Sequence, residues 1–218
     1  KKLLCVVILI IAVSPLHATI PVVDINDFFD PDSYSDFITT VANALREVGF
    51  FAVVNHGVSV KTLDSAYLAA EDYFQQDLSI KMLDRAHSTN GQRGYVPGES
   101  AKNRNKPDFK EFYNVGRELN AEQRKRLNYP DNIWPKQVDL KTPMYNMFLA
   151  LEEHAILIEQ VLAEAIGQPK NFFSNMTIEG DCLLKAIHYP ANSPKYRKWA
   201  AAHTDISLFT ISPRATTQ

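Results

Sequence analysis

The sequence predicts a mixed α+β protein built around one hydrophobic core, and three observations support this. Apolar residues recur at helical spacing in residues 37–48, 61–76 and 143–166. Short runs rich in β-branched and aromatic residues, such as residues 50–54 and 181–189, have the composition of strands. The 218-residue chain is 45% hydrophobic and 22% charged, which is ordinary for a globular protein with a sizeable core.

The first half of the chain alternates predicted strands and helices. A short strand at residues 20–25 precedes a helix that Asp30 can cap and that Gly49 ends. Residues 50–54 are a continuous apolar run, which predicts a buried strand. A second helix is predicted at residues 61–76, with its apolar side chains on one face.

The second half begins with a polar segment, residues 84–110, which we predict to be a long loop holding a short extended piece around residues 94–97. Long loops in compact domains are often lids or binding loops. A short helix is predicted at residues 121–127, and the longest helix at residues 143–166. Three charged residues near the end of the loop are expected to lie at the surface: Asp108, Lys110 and Glu111.

A His-X-Asp pattern stands near the end of the sequence, where a strand is predicted to follow Ile206. Side chains two apart on an extended backbone project to the same face, so His203 and Asp205 can reach one metal ion. An imidazole and a carboxylate suit Fe(II), and one further His completes a facial triad. A surface pair is the alternative. His56 and His154 are expected to have structural roles.

Composition and charge give no support for several function classes. The formal net charge is −2 and the isoelectric point is near 6.3, so no electrostatic argument favours nucleic acid or an anionic membrane as partner. The two cysteines, Cys5 and Cys182, support neither a disulfide framework nor a cysteine-based zinc site.

The N-terminal segment, residues 1–18, has the pattern of a secretory signal peptide. Two lysines precede an apolar run at residues 3–13, and the small residue Ala18 marks an expected cleavage point. The run is too short for a stable membrane span. The alternative is that this run forms a buried strand or helix of the domain.

Seven short motifs occur in an order and at spacings that are typical of one family. They are Ile-Pro-Val-Val-Asp (20–24), Leu-Arg-Glu-Val-Gly-Phe-Phe (45–51), Val-Asn-His-Gly-Val (54–58), Gly-Tyr (94–95), Asn-Ile-Trp-Pro (132–135), His-Tyr-Pro (188–190) and His-Thr-Asp (203–205). The sequence resembles the isopenicillin N synthase-like family of Fe(II)- and 2-oxoglutarate-dependent oxygenases. The resemblance implies a helical N-terminal dioxygenase region at residues 19–140. Residues 141–218 would be the bracing helix and first part of a double-stranded β-helix (jelly roll).

The resemblance also implies roles for particular residues. His203 and Asp205 match two of the three iron ligands, and Tyr189 matches a residue that contacts 2-oxoglutarate in many members; no catalytic residue beyond the metal ligands is implied. Ile187 stands where those members often have Asn, and Lys185 where they often have Arg. The family's third histidine ligand and its Arg-X-Ser come later than the His-X-Asp, and this sequence contains neither. We therefore expect a C-terminally truncated chain that is inactive by itself.

The function implied by the resemblance is oxidation of a small-molecule substrate with molecular oxygen, by a monomer with no nucleic-acid partner. The resemblance points to the cytoplasm, whereas the N-terminal segment points to export. Two alternatives remain at this stage. One is a non-catalytic degenerate paralogue, or a binding protein, that keeps the N-terminal half of the fold. The other is a hydrolase that uses His203 and Asp205, although the sequence offers no local general base for it.

Overall fold

The computed structural model describes residues 19–98, 107–191, 198–201 and 207–214. These residues form an α+β architecture, as the sequence predicts. The helices are α1 (Tyr34–Glu47), α2 (Val60–Phe74), α3 (Leu78–Lys81), α4 (Ala121–Leu127), α5 (Lys141–Ala165) and α6 (Ser174–Thr177). The strands are β1 (Val22–Asp24), β2 (Ala52–Val54), β3 (Gly94–Val96), β4 (Glu111–Gly116) and β5 (Leu183–His188). Short 3-10 turns follow β1 and lie between α3 and β3.

The first sheet is a parallel pair in which Val23 of β1 lies opposite Val53 of β2. Val23 is buried in one hydrophobic cluster together with Phe37 and Val41 of α1. The apolar run around β2 is less buried than predicted, because Phe50 is 67% exposed. Within the described ranges the sheet has only these two strands, so β2 is an edge strand there.

The second sheet has the order β3-β4-β5, and both pairings are antiparallel. Its central strand, β4, is buried at all six positions. The register places Glu111 opposite His188 and Tyr113 opposite Ala186. The extended piece predicted around residues 94–97 is therefore β3, an edge strand of this sheet. Glu111, which was predicted to lie at the surface, is the first residue of the central strand β4.

The long helix α5 contributes to both hydrophobic clusters. Met144 and Met147, in its first half, pack in the cluster that holds the aromatic residues of β3 and β4. Val161, in its last turns, packs in the cluster of β1 and α1. Helix α5 thereby connects the two sheets through one continuous apolar stripe, as the helical periodicity of the sequence predicts.

The strand predicted after Ile206 is absent, since residues 207–214 contain no regular structure. A strand needs a backbone ladder to satisfy its amide groups, and no described strand runs beside this segment. Arg214 is instead held at α2: its guanidinium lies 2.6 Å from Asp64, and its carbonyl accepts a hydrogen bond from the hydroxyl of Tyr67.

Two predictions fall outside the described residues. The N-terminal segment 1–18 is one of them, and the pair His203 and Asp205 is the other. Within the described ranges, no helix combines the length and the apolar composition that crossing a bilayer requires. The described strands do not by themselves amount to a double-stranded β-helix, so the jelly roll stays a prediction.

Candidate active site

The candidate site is built at the end of β5, where the strand presents two different faces. Leu184 and Ala186 pack against the hydrophobic cluster beneath the sheet, whereas Leu183 and Ile187 are exposed on the other side. This alternation follows from the pleat of a strand. Tyr189 comes two residues after Ile187 and is 41% exposed. The residue predicted to contact 2-oxoglutarate therefore follows the open face of β5.

Tyr189 contacts the segment that leads to the predicted iron ligands. Its ring centroid lies 6.2 Å from that of Trp199, at an interplanar angle of 45°. The indole N–H of Trp199 donates to the carbonyl oxygen of Pro190 at 3.2 Å. The end of β5 and residues 198–201 are thus adjacent, and His203 is two residues beyond this segment.

The residues just before β4 hold the same segment from a second side. The backbone N–H of Phe109 donates to the carbonyl oxygen of Lys198 at 2.7 Å. The backbone N–H of Ala201 donates to the carboxylate of Asp108 at 3.2 Å. Both Asp108 and Ala201 are buried, so solvent does not compete strongly for this hydrogen bond.

His203 and Asp205 lie in residues 202–206, for which the structure describes no positions. An imidazole and a carboxylate form a donor set that fits Fe(II). Among the residues that the structure does describe, no group of three or more His, Cys, Asp or Glu side chains could hold a metal ion. Tyr189 fits the second cofactor, because a phenolic hydroxyl can donate a hydrogen bond to a carboxylate.

A buried charged cluster lies on the opposite face of β5, and sequence reasoning missed it. The carboxylate of Glu111 lies 2.8 Å from Nζ of Lys81 and accepts a hydrogen bond of 2.5 Å from the hydroxyl of Tyr95. Its other oxygen lies 2.8 Å from Nδ1 of His188, whose ring stacks on Phe74 at 5.3 Å.

The expectation of surface charges at Asp108, Lys110 and Glu111 is therefore wrong. Asp108 and Glu111 are buried, and the Lys110 ammonium lies 3.6 Å from Asp108. The physical reason is that Glu111 is the first residue of the central strand β4, which is buried throughout, and that Asp108 accepts a hydrogen bond from the buried Ala201. A signal was present in the sequence: Glu111 shares its strand face with Tyr113 and Val115, so a carboxylate on an apolar face required a partner.

The partners of Glu111 decide its protonation. Burial alone would raise the pKa of this carboxyl group, but the hydrogen bonds from Lys81, Tyr95 and His188 favour the ionised form, and the pKa lies below its ordinary value. Burial and the neighbouring carboxylate raise the pKa of Tyr95. The hydroxyl of Tyr95 therefore remains a donor to Glu111.

His56 and His154, which were predicted to have structural roles, both contact neighbouring backbone groups. His56 accepts a hydrogen bond at Nδ1 from the backbone N–H of Val58 at 3.1 Å, within its turn. His154 of α5 has Nδ1 2.7 Å from the carbonyl oxygen of Ala150, and its Nε2 contacts the carbonyl oxygen of His56. Helix α5 is thereby connected to the turn after β2.

A family model, related sequences and solved structures all match this chain and indicate the same family. Residues 20–137 match the family model described as the N-terminal region of the non-haem dioxygenase in morphine synthesis. The 2-oxoglutarate-dependent dioxygenase traH of Penicillium crustosum is 30% identical over 208 residues, which cover 88% of this chain and 63% of traH. The chain therefore spans less than two thirds of the length of this relative.

Solved structures show the same fold. A putative 2OG-Fe(II) oxygenase family protein from Caulobacter crescentus superposes with a TM-score of 0.67 at 24% identity, over 78% of this chain and 56% of that one. A Neurospora crassa protein, solved in complex with alpha-KG and 5-formyluracil, superposes with a TM-score of 0.63 at 25% identity, over 78% of this chain and 52% of that one. The chain belongs to the family of Fe(II)- and 2-oxoglutarate-dependent oxygenases, whose cofactors are Fe(II) and 2-oxoglutarate.

Proposed function

We propose that this chain provides part of a non-haem oxygenase site that oxidises a small-molecule substrate, with His203 and Asp205 as iron ligands and Tyr189 as a contact for 2-oxoglutarate. One observation carries the proposal beyond family membership. The contact between Tyr189 and Trp199 brings the end of β5 next to the segment that leads to His203. The two predicted cofactor contacts thus belong to neighbouring segments.

The residues of this chain would divide the work as follows. His203 and Asp205 would hold Fe(II) as an imidazole and a carboxylate ligand. Tyr189 would orient 2-oxoglutarate through a hydrogen bond from its hydroxyl. Bound together, Fe(II) and 2-oxoglutarate supply the activation of molecular oxygen that substrate oxidation needs. Trp199 contacts the ring of Tyr189 and would help to hold its orientation.

The remaining parts of the proposal concern architecture and activity. The β3-β4-β5 sheet would belong to a double-stranded β-helix, and the protein would work as a monomer. The 218-residue sequence contains no Arg-X-Ser and one His-X-Asp. We propose that these 218 residues alone bind the cofactors weakly and do not turn over 2-oxoglutarate.

Equilibrium dialysis of radiolabelled 2-oxoglutarate under anaerobic conditions tests the proposed site. We expect the purified chain to retain 2-oxoglutarate only when Fe(II) is present. His203→Ala removes one imidazole ligand and should abolish this retention. His87→Ala is the matched control, because His87 is an exposed histidine on a different element and its loss should change nothing.

Each other result contradicts the proposal in a different way. Retention that does not depend on Fe(II), or that survives His203→Ala, would indicate a binding protein that recognises 2-oxoglutarate without the metal. Absence of retention in a folded wild-type chain would favour the non-catalytic paralogue.

The location of the protein is a separate proposal. We propose that it works in the cytoplasm, where the cofactors Fe(II) and 2-oxoglutarate are available. The alternative is that residues 1–18 act as a signal peptide and that the protein is exported. N-terminal sequencing of the protein purified from cells distinguishes the two. An N-terminus at Thr19 would demonstrate cleavage after Ala18 and contradict the cytoplasmic location.

A further inference from the structure

We propose that residues 108–111, which lead into β4, are a positioning element for both halves of the cofactor site. Asp108 and Phe109 would set the position of residues 198–201, which precede the predicted iron ligands in sequence, and Glu111 would set the position of Tyr189 through His188. This inference rests on the proposed function, because it concerns how the predicted cofactor contacts are held. None of these positioning residues is assigned a contact with a cofactor.

The first arm of the element holds residues 198–201. The Phe109 amide donates to the carbonyl oxygen of Lys198, and the Ala201 amide donates to Asp108. Two hydrogen bonds three residues apart fix both the position and the direction of this short segment. Because Ala201 is two residues from His203, at most about 7 Å of extended chain separates their Cα atoms. The two hydrogen bonds therefore act within a few residues of the predicted ligand in sequence.

The second arm holds the end of β5. Glu111 and His188 are directly opposite in the β4–β5 register, and their side chains are joined at 2.8 Å. His188 and Tyr189 are consecutive, so on an extended backbone their side chains leave the chain on opposite faces. The contact between Glu111 and His188 therefore holds the backbone next to Tyr189 and leaves the face on which the Tyr189 side chain lies free of these two side chains.

Glu111 is itself held in place, which is what a positioning residue requires. Its carboxylate accepts hydrogen bonds from Lys81 and Tyr95 in addition to the contact with His188. Lys81 also donates to the carbonyl oxygen of Phe74 at 3.0 Å. Every one of these groups lies on α2, α3 or the β3-β4-β5 sheet, so the contact between Glu111 and His188 is part of the rigid core.

The two arms predict separate defects. Asp108→Ala removes the acceptor of the Ala201 amide and should weaken Fe(II) binding by up to about tenfold, less than the loss of a group bonded directly to a metal ligand. His188→Phe keeps an aromatic ring on Phe74 and leaves the pair of Lys81 and Glu111 intact. It should weaken 2-oxoglutarate binding at saturating Fe(II) by up to about tenfold, with Fe(II) affinity unchanged.

Hydrogen–deuterium exchange without any ligand gives a readout that does not need a functional site. In Asp108→Ala, a peptide covering residues 198–205 should exchange faster, whereas peptides of α5 should not. Asp84→Ala is the matched control, because Asp84 is also a buried aspartate and accepts a hydrogen bond of 3.1 Å from Tyr73. Its loss should leave exchange in residues 198–205 unchanged.

Conservative variants distinguish positioning from general stability. Asp108→Asn keeps an oxygen acceptor for the Ala201 amide and should restore slow exchange and Fe(II) affinity. His188→Asn places an amide donor near the position of Nδ1 and should restore 2-oxoglutarate affinity. Urea unfolding of each variant identifies any loss that reflects global destabilisation.

The outcomes separate this inference from the proposed function. The inference is supported if Asp108→Ala loosens residues 198–205 and weakens Fe(II) binding, while His188→Phe weakens 2-oxoglutarate binding only. It is overturned if Asp108→Ala and Asp84→Ala behave alike, or if His188→Phe leaves 2-oxoglutarate affinity unchanged in a chain that binds it. If the wild-type chain binds neither cofactor, the proposed function fails, and the exchange measurement still decides whether Asp108 holds the segment.

Discussion

Lys81 and Glu111 form an ion pair with an N–O distance of 2.8 Å and side chains that are only 8% and 11% exposed. Removing two charges from water is costly, and the cost is recovered only when each group is also hydrogen-bonded. Here Tyr95 and His188 bind the carboxylate, and the carbonyl oxygen of Phe74 accepts from the ammonium. The pair connects α3 to the central strand and lies on the face of the sheet opposite the candidate active site.

Loss of one partner of this pair should strongly destabilise the fold. Lys81→Met keeps the aliphatic length of the side chain but leaves the Glu111 carboxylate buried without its cation. We expect the free energy of unfolding to fall by about 3–5 kcal/mol, the usual cost of breaking a buried pair. Urea denaturation followed by circular dichroism measures it.

An exposed pair in the same protein is the matched control. Lys141 and Glu118 are separated by 3.5 Å, but their side chains are 55% and 38% exposed. Lys141→Met should change the free energy of unfolding by less than about 1 kcal/mol. Equal losses for Lys81→Met and Lys141→Met would show that burial of the first pair does not matter in solution.

The depressed pKa of Glu111 predicts how stability depends on pH. Its ionised form is favoured in the folded state, so its contribution to stability is present above the ordinary glutamate value of 4.5 and is lost as pH falls through the lower folded value. The stability difference between wild type and Glu111→Gln should therefore be largest near neutral pH and shrink below about pH 4.5. Parallel stability curves for the two proteins between about pH 3 and about pH 7 would contradict this assignment.

Gly116 should not tolerate a methyl group. A Cβ at this position would overlap the guanidinium of Arg93, which is fully buried and paired with Asp181 at 2.5 Å. We expect Gly116→Ala to cost about 1–3 kcal/mol, as overpacking of a rigid interior does. The thermal unfolding midpoint measures the loss. Gly167→Ala is a useful comparison, because a Cβ there meets open space and the cost arises only from its positive φ of 73°.

Tyr189→Phe should weaken the binding of 2-oxoglutarate without changing the binding of Fe(II). Removal of the hydroxyl deletes the proposed hydrogen bond to 2-oxoglutarate and keeps the ring that contacts Trp199. Affinity for 2-oxoglutarate at saturating Fe(II) should fall by about 10-fold or more, since a hydrogen bond to a charged group contributes roughly 1.5–3 kcal/mol. Fe(II) affinity should stay the same. Calorimetric titration measures both.

Tyr129→Phe provides the control for that variant. The hydroxyl of Tyr129 donates to the carbonyl oxygen of Glu179 at 2.7 Å in an exposed position. Its removal should leave both affinities unchanged. An equal effect of the two substitutions on 2-oxoglutarate binding would remove Tyr189 from the site.

The three longest helices could be predicted from sequence because their apolar spacing is local information. Predicted residues 61–76 and 143–166 correspond to α2 at Val60–Phe74 and α5 at Lys141–Ala165. Gly49, predicted to end α1, follows it with a φ of 80° that favours glycine. The burial of strands was harder to predict. The apolar composition of β2 is typical of a central strand, but β2 lies at an edge of the described sheet.

The partners of the buried charges could not be predicted, because they are distant in sequence. Lys81 and His188 are 30 and 77 residues from Glu111, and only the fold brings the three together. The same holds for the contact between Asp108 and Ala201, which are 93 residues apart. Tyr189 could be singled out from its family motif, and the structure adds its contact with Trp199.

Anaerobic visible spectroscopy of the purified chain with Fe(II) and 2-oxoglutarate tests the iron site most directly. Chelation of Fe(II) by 2-oxoglutarate gives a weak charge-transfer band. We predict that the band forms with wild-type chain and with His87→Ala, and that it is lost in His203→Ala and Asp205→Ala. A band that persists unchanged in both ligand variants, or that fails to form in a folded wild-type chain, would contradict the assignment of these two residues as iron ligands.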